Sequence, residues 1–293
     1  MQSLQAERPK TWTIGSLVKW ATDDFRTRGI ENPRLDAELI VAYALGIDRM
    51  RVILDAERPL EGRELDELRE LVKRRRAREP IAYLRGEREF YGLRFRVDKR
   101  VLVPRPDTET LVDRALARTM HVSMSMRLLD LCTGSGCVAI SMARERPTSS
   151  VIATDVSDDA LTVARENAAR LGAYNVAFVK GDLYDAVPPQ RFDVITANPP
   201  YIPTTEIATL DADVKDFEPR LALDGGDDGL ALLRRVIARA PDYLVPGGAL
   251  AVELGAGQAE AVKALFEARG FADITVDRDI ARIERVVSGV VQR

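Results

Sequence analysis

The chain has 293 residues, 46% apolar and 30% charged, enough for a sizeable core and for two domains, so disorder is excluded as its main state. A balance of 43 Lys+Arg against 46 Asp+Glu, net −3, excludes a surface that is wholly a nucleic-acid footprint. Two cysteines (Cys132, Cys137) and one histidine (His121) rule out a disulfide framework and show no zinc-ligand spacing, so no metal is expected; without an apolar run near ~18 residues or a signal-peptide pattern, a soluble cytoplasmic protein is.

The first 85 residues read as helical. Thr13 caps a segment whose apolar positions Ile14, Leu17, Val18, Ala21 and Phe25 recur at helical spacing, closed by Gly29. Asn32-Pro33 reads as an N-cap followed by proline at the first helical position. Leu35, Leu39, Ile40, Tyr43 and Ala44 are the expected buried stripe, and Gly46 the stop. A third helix carries Leu65, Leu68, Leu71 and Val72, with Lys73–Arg76 late, as the helix dipole favours. Residues 86–103 then alternate around Gly92 as a hairpin linker would. From Lys73 to Arg100 there are 11 Lys/Arg against 4 Asp/Glu, an excess of 7, read either as a solvated helix end and linker or as a basic surface for a partner.

From residue 104 to 293, strands and helices alternate. Strands are expected at Arg127–Leu131, Val151–Asp155, Val176–Lys180, Phe192–Ala197 and Ala249–Leu254, with helices such as Ser157–Leu171 between them. Ile274–Asp277 and Glu284–Val290 lie too close for a crossover helix and are expected as an antiparallel pair at the sheet edge. The fold class is therefore α/β: a seven-stranded, mostly parallel, doubly wound sheet with a small N-terminal helical bundle.

The first strand of that sheet runs into Asp130-Leu131-Cys132-Thr133-Gly134-Ser135-Gly136-Cys137, where glycines let the backbone turn sharply and approach a ligand. Alone this is weak: Gly134–Ala139 also satisfies the dinucleotide pattern G-x-G-x-x-A, and a tight turn without a ligand is the plain alternative. Asp155, ending the second strand, can accept hydrogen bonds from both hydroxyls of a ribose. Asp182 reads equally as an adenine contact and as part of a Gly-Asp turn. The discriminating feature is Asn198-Pro199-Pro200-Tyr201 after strand four. Two prolines hold this turn extended. The Asn198 side-chain oxygen and Pro199 carbonyl can then accept both hydrogens of a planar –NH₂ group, with Tyr201 against its face.

These motifs resemble class I methyltransferases acting on planar nitrogen and, more narrowly, the glutamine N5-methyltransferases of class I peptide chain release factors. The match extends to Glu89–Leu93, Val103-Pro104-Arg105-Pro106-Asp107-Thr108-Glu109, Phe217–Leu223 and Asp224–Gly229, so it covers nearly the whole chain. The resemblance implies methyl transfer from S-adenosylmethionine to the glutamine of a Gly-Gly-Gln loop. Cys132, Thr133, Gly134, Ser135 and Gly136 would line the methionine part of the cofactor, Asp155 its ribose, and Asp182 and Leu183 its adenine. Asn198, Pro199, Pro200 and Tyr201 would hold the substrate amide, with Asn198 also near the cofactor. Asn198, Pro199 and Tyr201 would be the catalytic residues. Phe90 and Arg105-Pro106 would shape the substrate entrance, and the N-terminal helices would grip the release factor. A monomer without a nucleic-acid requirement is implied.

Two positions depart from the family's pattern. Cys132 stands where glycine is usual, and Asp279–Arg285 lacks the glycine common in that late turn. The Cys132 form of the loop also resembles enzymes that methylate a ribosomal-protein glutamine, although Asp107-Thr108-Glu109 favours the release-factor branch. A nucleic-acid amino-methyltransferase, a nicotinamide oxidoreductase and a non-catalytic cofactor-binding scaffold remain alternatives from the residues alone.

Overall fold

A computed structural model describes residues 11–120 and 125–292; His121 lies outside them. The chain divides into two compact units, Met1–Gly86 and Glu87–Arg293, which places the 86–103 hairpin segment almost entirely in the second unit.

In the first unit, α1 (Ile14–Thr27), α2 (Pro33–Leu45), α3 (Arg49–Leu54), α4 (Gly62–Arg76) and α5 (Ile81–Arg85) surround one apolar cluster. Thr13 caps α1 as expected: its hydroxyl accepts from the Ser16 N–H at 3.2 Å, and its own N–H donates to Ser16 Oγ at 2.8 Å. The expected stripe of α2 holds at Ile40, with Leu39 and Ala44 half-buried, but fails at two positions. Leu35 and Tyr43 face solvent, whereas Asp36, Ala37, Ile40 and Val41 are buried, a rotation of about one residue. The cause is a buried ion pair: Arg75 from α4 donates to Asp36 at 2.7 Å, so the acidic residue takes an inward position that hydrophobicity alone assigns to Leu35. Asn32 precedes α2 but makes no side-chain cap. Much of the basic run is matched by carboxylates within this unit, including Arg74–Glu79 at 2.5 Å and Arg76–Asp24 at 3.1 Å.

The second unit opens with an antiparallel hairpin, β1 (Glu87–Phe90) and β2 (Leu93–Arg96). Tyr91 and Gly92 both have positive φ, the geometry that matches strand twist in a two-residue turn. Phe90 and Phe95 bury into the same core as Leu111 and Val112 of α6 (Glu109–Arg118), so the hairpin packs on this unit. The chain then runs through β3 (Arg127–Leu131), α7 (Cys137–Glu145), β4 (Ser150–Asp155), α8 (Asp158–Leu171), β5 (Val176–Lys180) and β6 (Phe192–Ala197). After the short α9 (Ala212–Lys215) come α10 (Ala231–Tyr243), β7 (Leu244–Glu253), α11 (Ala259–Ala268), β8 (Phe271–Arg278) and β9 (Glu284–Val291).

The strand order is β5-β4-β3-β6-β7-β9-β8, parallel except for β9. β9 inserts between β7 and β8, so the edge is formed by the earlier of the two late strands. Alternation along each strand feeds two cores. Leu128, Val194 and Ala249 face α6 and α7, while Leu129, Ile195 and Leu250 face α10 and α11. Because order reverses between β3 and β6, the carboxyl ends of these strands open a crevice where ligands of such sheets bind.

The late turn shows the cost of its departure. Arg282 has φ 64°, in a turn where Asp279 accepts the Arg282 and Ile283 N–H groups at 2.9 Å each. An exposed arginine therefore holds a left-handed conformation suited to glycine. Arg282→Gly is expected to stabilise the protein by about 1 kcal/mol after the entropy cost of glycine. The check is a higher denaturant midpoint at unchanged slope; an unchanged or lower midpoint would show the turn to be unstrained.

Candidate active site

The crevice is organised by Asp130, at the end of β3. Its Oδ2 accepts from Thr133 Oγ1 at 2.6 Å and its Oδ1 from Thr196 Oγ1, on β6, at 2.7 Å. One carboxyl group thereby joins the glycine loop to the strand that delivers Asn198. Burial pushes Asp130 up to about 6, against the opposing pull of its two hydroxyl donors. The loop itself winds through positive φ at Cys132 (58°), Gly134 (54°) and Gly136 (81°). Cys132 thus accepts a glycine-like backbone at some strain. A Cβ on Gly134 would meet nothing within 4 Å, whereas one on Gly136 would lie 2.9 Å from Ile140 Cδ1. Gly134 leaves open space, and Gly136 permits helix packing. Burial pushes the Cys132 thiol up and the Cys137 thiol up to about 12, so neither is a thiolate nucleophile at neutral pH.

Asp155 ends β4 with Oδ2 accepting from the Gly134 N–H and Oδ1 from the Ser157 N–H, both at 2.9 Å. Each oxygen retains acceptor capacity for an incoming hydroxyl. Ser157, not Asp155, caps α8. Asp182 is half exposed and ion-paired with Arg235 of α10 at 2.8 Å, so its carboxylate is already engaged at the rim. Leu183 is buried, with φ 52°.

Asn198 follows β6, and its Nδ2 donates to Thr108 Oγ1 at 3.2 Å. Among the described residues, no hydrogen bond engages Asn198 Oδ1 or the Pro199 carbonyl. The Tyr201 phenol donates to Glu253 Oε1 at 3.3 Å, and burial beside that carboxyl pushes the phenol up. The turn is clasped from behind: Gln258 Nε2 donates to the Tyr201 carbonyl at 2.9 Å, and the Gly225 N–H donates to the Ile202 carbonyl at 2.8 Å. Gly229 (φ 74°) passes so close that a Cβ would lie 2.2 Å from the Tyr201 carbonyl oxygen. The glycines of Asp224–Gly229 are therefore there for backbone approach.

A cavity of about 320 Å³ joins these elements. Of the expected site residues, Cys132, Thr133, Ser135, Asp155, Asp182, Leu183, Asn198, Pro200 and Arg105 line it. Gly134, Gly136, Pro199 and Tyr201 do not, and neither do Phe90, which lies in the core, and Pro106. Arg105 Nη2 is held by both oxygens of Glu218, at 2.8 and 2.9 Å. Burial outweighs the pull of Arg105 and pushes Glu218 up to about 7. This pair fixes the segment bearing Pro219, Leu221 and Ala222, which form one wall of the cavity. Asp130, Thr108, Glu218, Glu253 and the Arg100–Leu102 wall were not singled out as site residues from sequence. Only Asp130, Thr108 and Glu218 fall within motifs that could have flagged them. Among the described residues no group of three His, Cys, Asp or Glu is placed to hold a metal ion, and no helix is long and apolar enough to cross a membrane.

The raised Asp130 pKa gives a signed prediction. An unfolded aspartate releases its proton near ~3.9, so between about pH 4 and 6 the folded state binds more protons and loses stability as pH rises. Asp130→Asn removes that loss. Whatever its offset, the stability of the variant relative to wild type should climb by on the order of 2 kcal/mol across this window and then level off. Denaturant titrations at several pH values check it, and a flat difference would contradict it.

Residues 16–86 match the family described as PrmC N-terminal domain, and residues 109–213 that described as Methyltransferase small domain. Over 283 residues the chain is 44% identical to a release factor glutamine methyltransferase of Geobacter sulfurreducens, covering 97% of this chain and 98% of that one. A protein of the same name from Caulobacter vibrioides is 40% identical over 283 residues, covering 96% and 95%. A solved methyltransferase structure from Pyrococcus furiosus shares the fold, with TM-score 0.52 at 22% identity over 70% of this chain and 91% of that one. With that identity sustained over nearly its whole length, and with this crevice at the sheet's switch point, the chain belongs to the release factor glutamine methyltransferase family.

Proposed function

We propose that the protein methylates the side-chain amide nitrogen (N5) of the glutamine in the Gly-Gly-Gln motif of class I peptide chain release factors, with S-adenosylmethionine as methyl donor. The observation that carries this reading is the Asn198 turn. With Nδ2 spent on Thr108, the oxygen of Asn198, a cavity-lining residue, is left to accept from an incoming group, and the adjacent Pro199 carbonyl is unengaged. Two acceptors on one rigid turn suit the two hydrogens of a primary amide.

The residues present fit the donor. Asp155 offers two oxygens suited to a pair of ribose hydroxyls, Gly134 leaves the loop open, and Leu183 supplies an apolar wall for a purine. Thr133 and Ser135 give polar lining beside Cys132. Asp182, paired with Arg235, acts at the rim, and Gly136 serves helix packing. Arg105 keeps the Phe217–Leu223 segment over the cavity through Glu218. When bound, S-adenosylmethionine supplies an electrophilic methyl group on a sulfonium.

An amide nitrogen is a weak nucleophile because its lone pair is delocalised into the carbonyl. Asn198 Oδ1 and the Pro199 carbonyl favour positive charge growing on that nitrogen. They also fix its plane, so chemistry is promoted by placement and electrostatics. Tyr201 and Pro200 hold the turn's shape, and Pro200 borders the amide. The helical unit, residues 1–85, supplies contacts to the release factor away from its reacting loop, and residues 104–293 carry the transfer. The protein acts as a cytoplasmic monomer on a protein substrate, without a nucleic-acid requirement.

Asn198→Ala should lower turnover on a release factor by ~100-fold or more while leaving S-adenosylmethionine affinity nearly intact. Asp155→Ala should first weaken that affinity. Calorimetry and single-turnover assays separate the two, and an Asn198→Ala enzyme with wild-type turnover would refute the assignment.

A further inference from the structure

The loop after β5 is tied to α10 by two ion pairs, and one of the two reaches the cavity. Asp182 Oδ2 accepts from Arg235 Nη2 at 2.8 Å; one helical turn further on, Asp185 Oδ1 accepts from Arg239 Nη1 at 2.5 Å. Asp182 and Arg235 both line the cavity, whereas Asp185 and Arg239 do not. All four side chains are about half exposed, and pairs of that kind contribute little stability. The pair at the cavity therefore invites a reading in terms of the ligand.

The backbone of this loop is fixed. The Gly181 N–H donates to the Asp155 carbonyl at 3.0 Å, and the Asp185 N–H to the Asp182 carbonyl at 3.1 Å. The Thr154 hydroxyl donates to the Leu183 carbonyl at 3.1 Å. Asp155 pairs in register with Lys180, so Asp182 stands one strand across and two residues beyond the paired position. Neighbouring strands lie about 4.8 Å apart, so a base carried by a ribose at Asp155 reaches Asp182 and Leu183.

Arg235 occupies Oδ2 alone; among the described residues, no hydrogen bond engages Asp182 Oδ1. A carboxylate oxygen only accepts, so Oδ1 matches a donor at the edge of a base and repels an acceptor there. Adenine carries such a donor, its exocyclic –NH₂, where hypoxanthine carries a carbonyl oxygen. An unpaired carboxylate at a half-exposed rim would turn among rotamers and would lose its hydration when a base covers it. The planar guanidinium of Arg235 answers both difficulties, fixing the carboxylate's orientation and keeping its charge paired.

We propose that Arg235 is a positioning residue for the methyl donor: by holding Asp182, it makes the cavity select adenine over a purine with a carbonyl in place of the amino group. This rests on the reading that S-adenosylmethionine binds with its ribose at Asp155 and its base beside Asp182 and Leu183. It deepens that reading by giving the base selectivity a cause on α10, outside the loops that follow the strands.

The test is calorimetric binding of two probes, S-adenosylhomocysteine and S-inosylhomocysteine, which differ at the group facing Asp182. The wild type should prefer the adenosyl probe by about 10-fold or more. Arg235→Leu should bring that preference to within about 3-fold, chiefly by weakening the adenosyl probe. Arg235→Lys, which can still pair with Asp182, should restore part of it. Arg239→Leu, which breaks the matching pair outside the cavity, should keep the wild-type preference. With Asp182→Ala already in place, Arg235→Leu should change the preference no further. Arg235→Leu with the wild-type preference would overturn the proposal. So would an equal loss in Arg239→Leu, which would reduce both pairs to docking of the loop. Equal weakening of both probes in Arg235→Leu would also overturn it, making Arg235 a surface for the base and not a holder of Asp182. A wild type that binds both probes equally would refute the selectivity and leave the donor reading standing; one that binds neither would refute the donor reading and the proposal with it.

Discussion

The Asp130 carboxyl group takes Thr133 on one oxygen and Thr196 on the other, so a single buried side chain couples the loop after β3 to the strand that ends at Asn198. Everything at the crevice is measured from that junction. The loop's positive-φ path sets where the Gly134 N–H meets Asp155, and the Thr196 bond sets where β6 releases the chain into Asn198-Pro199. Keeping such a group buried is costly, as its raised pKa shows, and the return is that the glycine loop and the Asn198 turn are held in fixed relation. Loss of either hydroxyl would leave the other arrangement intact but unregistered.

The Asn198 turn has further supports, each from a different part of the chain. Thr108 and Glu253 hold its side chains, Gln258 holds its backbone, and the Asp224–Gly229 segment lies against it where side chains would not fit. The Arg105–Glu218 pair closes a wall of the cavity between residues 113 positions apart. Rigid polar support of this kind suits a reaction whose difficulty is the weak nucleophilicity of an amide, because placement and fixed dipoles are the means a protein has to help it.

Much of this was legible in the residues. The strands Arg127–Leu131, Val176–Lys180 and Phe192–Ala197 coincide with β3, β5 and β6; β3 and β6 are buried parallel strands, which read as short apolar runs bounded by turn residues, and β5 is a half-buried edge strand. The Asn198 turn stood out because consecutive prolines after a strand have few structural explanations. What could not be read was pairing across distance. The inward turn of Asp36 depends on Arg75, 39 residues later, and so reverses a local hydrophobic pattern. Asp130, Glu218 and Glu253 are ordinary acidic residues in one dimension and become buried carboxyls only when the sheet is assembled. Cys132 and the Asp279–Arg285 turn both lack the glycine usual there; the structure shows that Cys132 and, within that turn, Arg282 adopt the glycine-like backbone.

The most direct measurement of the central claim is a mass spectrum of the Gly-Gly-Gln peptide from a class I release factor incubated with this protein and S-adenosylmethionine. The account predicts the gain of one methyl group, localised by fragmentation to the glutamine side chain. An unmodified glutamine, under conditions where calorimetry shows the donor bound, would contradict it.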